Sequence, residues 1–165
     1  MNLRTRLSTR IHMTDIHEIL IFVDSQNRQQ ELLDLAFDED DTISYQALWA
    51  LTHFSKKDSI WLHTQQEKLI DTVLVCKHEG KRRLLLTLIN DQPLSGVSRV
   101  DFLDYCLERM ISPQEPLAIQ SVCIKIAYQL CKNTPELLSE FRSVLDMADS
   151  DSLSPALRAS RKSVL

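Results

Sequence analysis

An all-α fold, built as a solenoid of stacked helical hairpins, is predicted by three features of this 165-residue chain. The stretch ELLDLAF (31–37) recurs in altered form as KLIDTVL (68–74), DFLDYCL (101–107) and ELLSEFR (136–142), at spacings of 37, 33 and 35 residues. Self-similarity at such a period marks a repeat architecture. Each copy is followed, after a short polar turn, by a second amphipathic stretch. Only two glycines, Gly80 and Gly96, are present, which leaves few positions for tight hairpins or phosphate-cradling loops.

Taken in order, the elements begin with MNLRTRLSTRIHM, which carries Arg4, Arg6 and Arg10 without an acid. It resembles a transit peptide or an over-extended start before Met13. TDIHEILIFVD (14–24) reads as an unpaired N-terminal cap helix, so residues 1–25 form a basic segment plus cap. The first repeat, 26–57, places Leu32, Leu33, Ala36 and Phe37 at i, i+1, i+4 and i+5, one wide apolar face on a 3.6-residue period, with Asp34 turned outward. After the acidic turn DEDD comes TISYQALWALTHF. The second repeat, 59–92, opens near Trp61, expected in the core, and turns at KHEG into KRRLLLTLIND. A QPLSG linker holding Pro93 and Gly96 leads to the third repeat, 97–132, whose second helix is LAIQSVCIKIAYQL, and the fourth runs from 134 to 165. All four repeats are expected to form one domain.

Helix starts are read from Ser112-Pro113, Thr134-Pro135 and Ser154-Pro155, each a hydroxyl at the N-cap with proline at the first helical position, and from Ser98 with Asp101 as a capping-box variant. Cys76, Cys106, Cys123 and Cys131 lie in apolar helical patterns with no CxxC pair and are read as reduced core residues. The longest apolar runs fall short of a membrane span, and the cytoplasm is the expected location.

At this point the chain resembles the HEAT/armadillo class of helical repeats over about residues 26–165. The resemblance rests on Leu32-Leu33-Asp34 through Ala47, Ala50 and Leu51, and on Leu157-Arg158-Ala159. It implies a right-handed α-α superhelix of about four hairpins plus the cap helix, with the second helices lining the concave surface. Two departures stand out. The arginine of the second helix is found only near Arg82, Arg83 and Arg158, and helix 14–24 has no partner.

Aligning Ala47, Leu84, Cys123 and Ser160 across the four second helices buries Ile43, Ala47, Ala50, Leu51 and Phe54 in the first, and Ile119, Cys123, Ile126, Ala127 and Leu130 in the third. The remaining face carries Tyr45, Trp49, His53, Arg82, Leu86, Lys125, Gln129, Arg158 and Lys162. Read through the resemblance, these nine form a concave partner-binding strip, with Trp49 and Arg82 as anchors because such side chains dominate interface energies. The local alternative is that Trp49 packs on a neighbouring repeat and the cations are solvated.

Net charge is -4, and all 23 acids lie between residues 15 and 151, flanked by basic ends. That balance disfavours nucleic acid as a partner, since phosphate contacts call for a basic footprint. A nucleic-acid-binding protein of the HEAT-like DNA glycosylase type is the alternative. The DEDD turn is not a calcium loop, because an EF-hand starting at Asp38 needs glycine and glutamate where Ile43 and Trp49 stand; its acids suit the N-terminus of the following helix. His12, His17, His53, His63 and His78 show no metal-ligand spacing, and no catalytic motif occurs. The expectation is a non-catalytic scaffold without cofactor or metal. It would bind another protein through an acidic or extended segment, and could self-associate through its C-terminal repeat, where the pattern ends at Leu165 without a polar cap.

Overall fold

The computed structural model describes residues 1–147 and 155–164. Among them are eleven α-helices and no strand. Contacts divide the chain into two compact units, Met1–Leu88 and Ile89–Leu165.

The first unit contains α1 (Leu3–Leu7), α2 (Met13–Ser25), α3 (Gln29–Ala36), α4 (Asp41–Leu51), α5 (Lys56–His63), α6 (Gln66–Val75) and most of α7 (Glu79–Asn90). α3 and α4 pair as a hairpin, with α1 and α2 packed on both. The predicted seam is the core: Leu32 and Leu33 in α3, and Leu69, Ile70 and Val73 in α6, are fully buried, while Asp34 and Asp71 are exposed. Each such aliphatic side chain contributes about 1.5–3 kcal/mol by leaving water.

The basic opening segment is packed. Leu3 and Leu7 are fully buried, Ile11 nearly so, and Arg4 pairs with Asp38 while Arg6 pairs with Asp15. Asp15 also accepts from the backbone N–H of His12 at 2.7 Å. That bond first, and the Arg6 guanidinium second, hold its carboxyl below the usual range.

Asn27, at φ 52°, ends α2 with a Schellman turn: the N–H of Arg28 reaches the carbonyl of Val23 at 2.9 Å, and that of Asn27 reaches Asp24 at 3.4 Å. Asparagine tolerates this left-handed conformation, so the turn needs no glycine. The DEDD turn does cap α4. Asp40 Oδ1 accepts from the N–H groups of Thr42 at 2.9 Å and Ile43 at 3.1 Å. Asp40→Ala is therefore expected to cost about 1 kcal/mol in urea unfolding, whereas Asp40→Asn, which keeps the acceptor, stays close to wild type.

The second repeat has three helices. The segment read as one opening helix breaks at Thr64–Gln65, where the Thr64 hydroxyl turns back to the carbonyl of Trp61 at 2.6 Å, separating α5 from α6. Trp61 is half-buried in α5, its ring 6.5 Å from that of Phe54 in an edge contact. A buried Asp58 accepts from Gln29 at 3.1 Å and ties α5 back to α3.

In the second unit α8 (Val100–Arg109), α9 (Leu117–Cys131), α10 (Pro135–Asp146) and α11 (Pro155–Val164) follow the end of α7, and α9 packs against the other three. Phe102, Cys106, Ile119, Cys123, Ile126, Ala127 and Phe141 are fully buried. Burial first, and the neighbouring Cys123 second, push the Cys106 thiol well up; burial pushes that of Cys131 up to about 11. All four cysteines are free, but Cys76 is the C-cap of α6 and half-exposed, so it is not a core residue.

Two predicted helix starts move. α9 begins at Leu117 and not at Pro113, because Pro116 restrains Glu115 away from helical backbone. Residues 112–116 instead form a turn held by Gln120 Nε2 on the Ser112 carbonyl. α8 begins at Val100, and Asp101 is taken by the Arg99 guanidinium at 2.7 and 3.1 Å, leaving no capping box with Ser98. Pro135 does open α10, but Thr134 makes no side-chain cap bond. Ser154 and Leu165 lie outside the described residues.

Candidate functional site

The second helices α4, α7, α9 and α11 each bury one face and present another. In α4, Ile43, Ala47, Ala50 and Leu51 are buried, which leaves Tyr45 and Trp49 half-buried and His53 exposed along successive turns. Trp49 meets His53 edge-on at 6.4 Å. Tyr45 is a packing residue as well as a surface one. Its ring lies 6.3 Å from His78 and covers Gly80, where a Cβ would stand 3.0 Å from Tyr45 Cε2. Lys81, one residue on, pairs with Asp41 at 2.7 Å, closing the start of α7 onto the start of α4.

On α7, Arg82 is half-buried. Leu86 is fully buried, so its expected place on an exposed face is corrected: it belongs to the core. The run Leu84-Leu85-Leu86 with Leu88 and Ile89 makes α7 apolar around much of its circumference, and such a helix is covered on several sides.

In the second unit the expected positions are open. Lys125 and Gln129 on α9, and Arg158 and Lys162 on α11, are all exposed. The hydroxyls of Ser121 on α9 and Ser160 on α11 lie 2.6 Å apart and fasten the two helices. Beside them opens a cleft of about 410 Å³, lined among others by Asn90, Gln92, Lys125, Tyr128, Gln129 and Ser163. No acidic residue is among the described residues that line it. Lys125 makes no ion pair or hydrogen bond with the described residues. Gln92 is unusual, since both Nε2 and Oε1 of its carboxamide are buried without a partner among the described residues. A buried polar group left unpaired costs about 1–3 kcal/mol.

The nine strip positions thus divide between the units, with Tyr45, Trp49, His53, Arg82 and Leu86 in the first and Lys125, Gln129, Arg158 and Lys162 in the second. Sequence reasoning missed Gln92, because a glutamine in a linker carries no periodic signal. No group of three or more His, Cys, Asp or Glu residues that could hold a metal occurs among the described residues, and no helix there is long and apolar enough to cross a membrane.

Comparison with known proteins returns no matching curated protein and no matching solved structure. The HEAT repeat domain matches residues 3–165, a span that takes in α1 and α2 as well as the later helices. With a match that spans nearly its whole length and an all-helical structure, the chain belongs to the HEAT repeat domain family.

Proposed function

We propose that the protein is a non-catalytic scaffold that binds another protein through the exposed faces of its second helices, one patch on each unit. HEAT repeats are commonly protein-interaction scaffolds. The observation that carries the reading is the contrast on α9 and α11. Their inner faces are buried at Ile119, Cys123, Ile126, Ala127 and Leu157, while Lys125, Gln129, Arg158 and Lys162 stand in solvent. Three exposed cations on one pair of helices, in a chain of net charge -4, suit a partner segment that is acidic or extended. Charge complementarity of this kind sets encounter rate and register. In the first unit Trp49 and Arg82 supply the residue types that anchor interfaces.

The test is affinity capture with the full chain and two double variants, Trp49→Ala with Arg82→Glu and Arg158→Glu with Lys162→Glu, after circular dichroism has shown each to be folded. At least one partner is expected to be lost by each variant, and capture is expected to survive nuclease treatment. Unchanged recovery of every partner would refute the reading; loss on nuclease treatment would transfer it to nucleic acid.

A further inference from the structure

We propose that the cleft between the 91–94 linker, α9 and the end of α11 binds an acidic side chain presented by an extended peptide segment, with Lys125 taking the carboxylate and Gln92 the adjoining backbone. The proposal deepens the protein-binding reading above and rests on it for the nature of the ligand. Its volume of about 410 Å³ falls within the roughly 300–1,000 Å³ of ligand clefts.

The chemistry of the lining selects the occupant. Lys125 offers an ammonium with no partner among the described residues, and no acidic side chain among the described lining residues competes for it. Gln92 offers a donor and an acceptor, both unsatisfied. A fully ionised inorganic anion such as sulfate would answer Lys125 and the Gln92 amide hydrogens, yet it would leave Oε1 without a donor. An apolar ligand would answer neither. A peptide group carries one N–H and one C=O, so a segment with Asp or Glu satisfies all three needs together. The terminal torsion of glutamine is broad, which allows the Gln92 amide to turn toward an occupant. Asn90 and Gln129, also in the lining, add carboxamides of the same two-sided kind.

Gln92 also separates a binding role from a structural one. If its amide serves no ligand, it is a buried group without a partner, and Gln92→Leu should leave the fold as stable as before or more so. Loss of binding without loss of stability is therefore the signature of a site.

The experiment uses the full chain labelled with 15N and follows the side-chain amide signals of Gln92, Gln129 and Asn90. The probes are acetyl-Gly-Glu-Gly-amide, its neutral counterpart acetyl-Gly-Gln-Gly-amide, and inorganic phosphate. The glutamate peptide is expected to shift the Gln92 signal saturably, with the neutral peptide and the Lys125→Met variant each weaker by about tenfold or more, the loss of one charge-assisted hydrogen bond. Gln92→Leu is expected to weaken binding while holding the melting temperature at or above that of wild type. Equal binding of the two peptides, equal shifts with phosphate alone, no shift with any probe, or a lowered melting temperature for Gln92→Leu with binding unchanged would each overturn the proposal. Capture with Lys125→Met and Gln92→Leu distinguishes the two readings. Partners lost only from the Trp49 or Arg158 variants overturn the cleft and keep the scaffold, whereas saturable glutamate-peptide binding with every partner retained keeps the cleft and overturns the scaffold.

Discussion

Replacing Gln46 by alanine is expected to destabilise the first unit by about 3 kcal/mol, because one buried carboxamide satisfies three backbone groups of the opening segment. Gln46 is 6% exposed. Its Nε2 donates to the carbonyls of Leu7 and Thr9, both at 2.8 Å, and its Oε1 accepts from the N–H of Ile11 at 2.9 Å. Alanine would leave the Leu7 carbonyl and the Ile11 amide buried without partners and would open a gap beneath them. The melting temperature should fall on the order of 10 °C, with faster hydrogen exchange at the Ile11 amide. Gln46→Glu is the informative control. It keeps an acceptor for Ile11 but, once ionised, donates to neither carbonyl, so it should be nearly as damaging as alanine at neutral pH. A variant melting within a degree or two of wild type would show that residues 7–11 are not held by this side chain.

In the second unit the largest single effect is expected at Phe102. This residue is fully buried in α8, its ring 6.4 Å from that of Tyr105 in a stacked contact. Truncation to alanine removes a large apolar surface and leaves a cavity that the neighbouring helices cannot close, a loss of about 3–5 kcal/mol. Val100, two residues earlier on the same helix, is 71% exposed, and Val100→Ala should change stability by less than about 0.5 kcal/mol. Urea unfolding of the pair measures both. A loss below about 1 kcal/mol for Phe102→Ala would contradict its place in the core.

Much of the fold is legible from periodicity, because burial along a helix repeats every 3.6 residues and leaves its mark on the sequence. Leu32-Leu33, Leu69-Ile70, Phe102-Leu103 and Leu137-Leu138 are read as one repeated seam; the first six are buried, with Asp34, Asp71 and Asp104 outside, whereas Leu137 and Leu138 are only half-buried. Asp40 as the cap of α4 is legible for the same reason: its effect reaches only three residues along the chain.

The errors arise from competing local contacts and from packing that periodicity does not record. Ser98 and Ser112 have suitable cap chemistry, but Arg99 claims Asp101 and Pro116 bars the helix from starting early. The α7 stretch is apolar on too many sides for periodicity to choose which leucine faces out, and packing buries Leu86 with the rest. α1 is five residues long and carries two arginines, so it reads as a basic tail; Leu3 and Leu7 are buried because α3 and α4 meet it from far along the chain.

By itself the sequence determined the helical class, most of the buried seam and the HEAT character of the chain, all consequences of hydrophobic spacing within one helix or between adjacent ones. Tertiary structure alone decided that Gln46 fastens the opening segment, and that Gln92 lies beside Lys125 in a cleft, unsatisfied by any described residue. Those features depend on where polar groups distant in sequence come to rest. A hydrogen bond between residues 39 apart, such as that from Gln46 to Leu7, leaves no periodic trace in either of them.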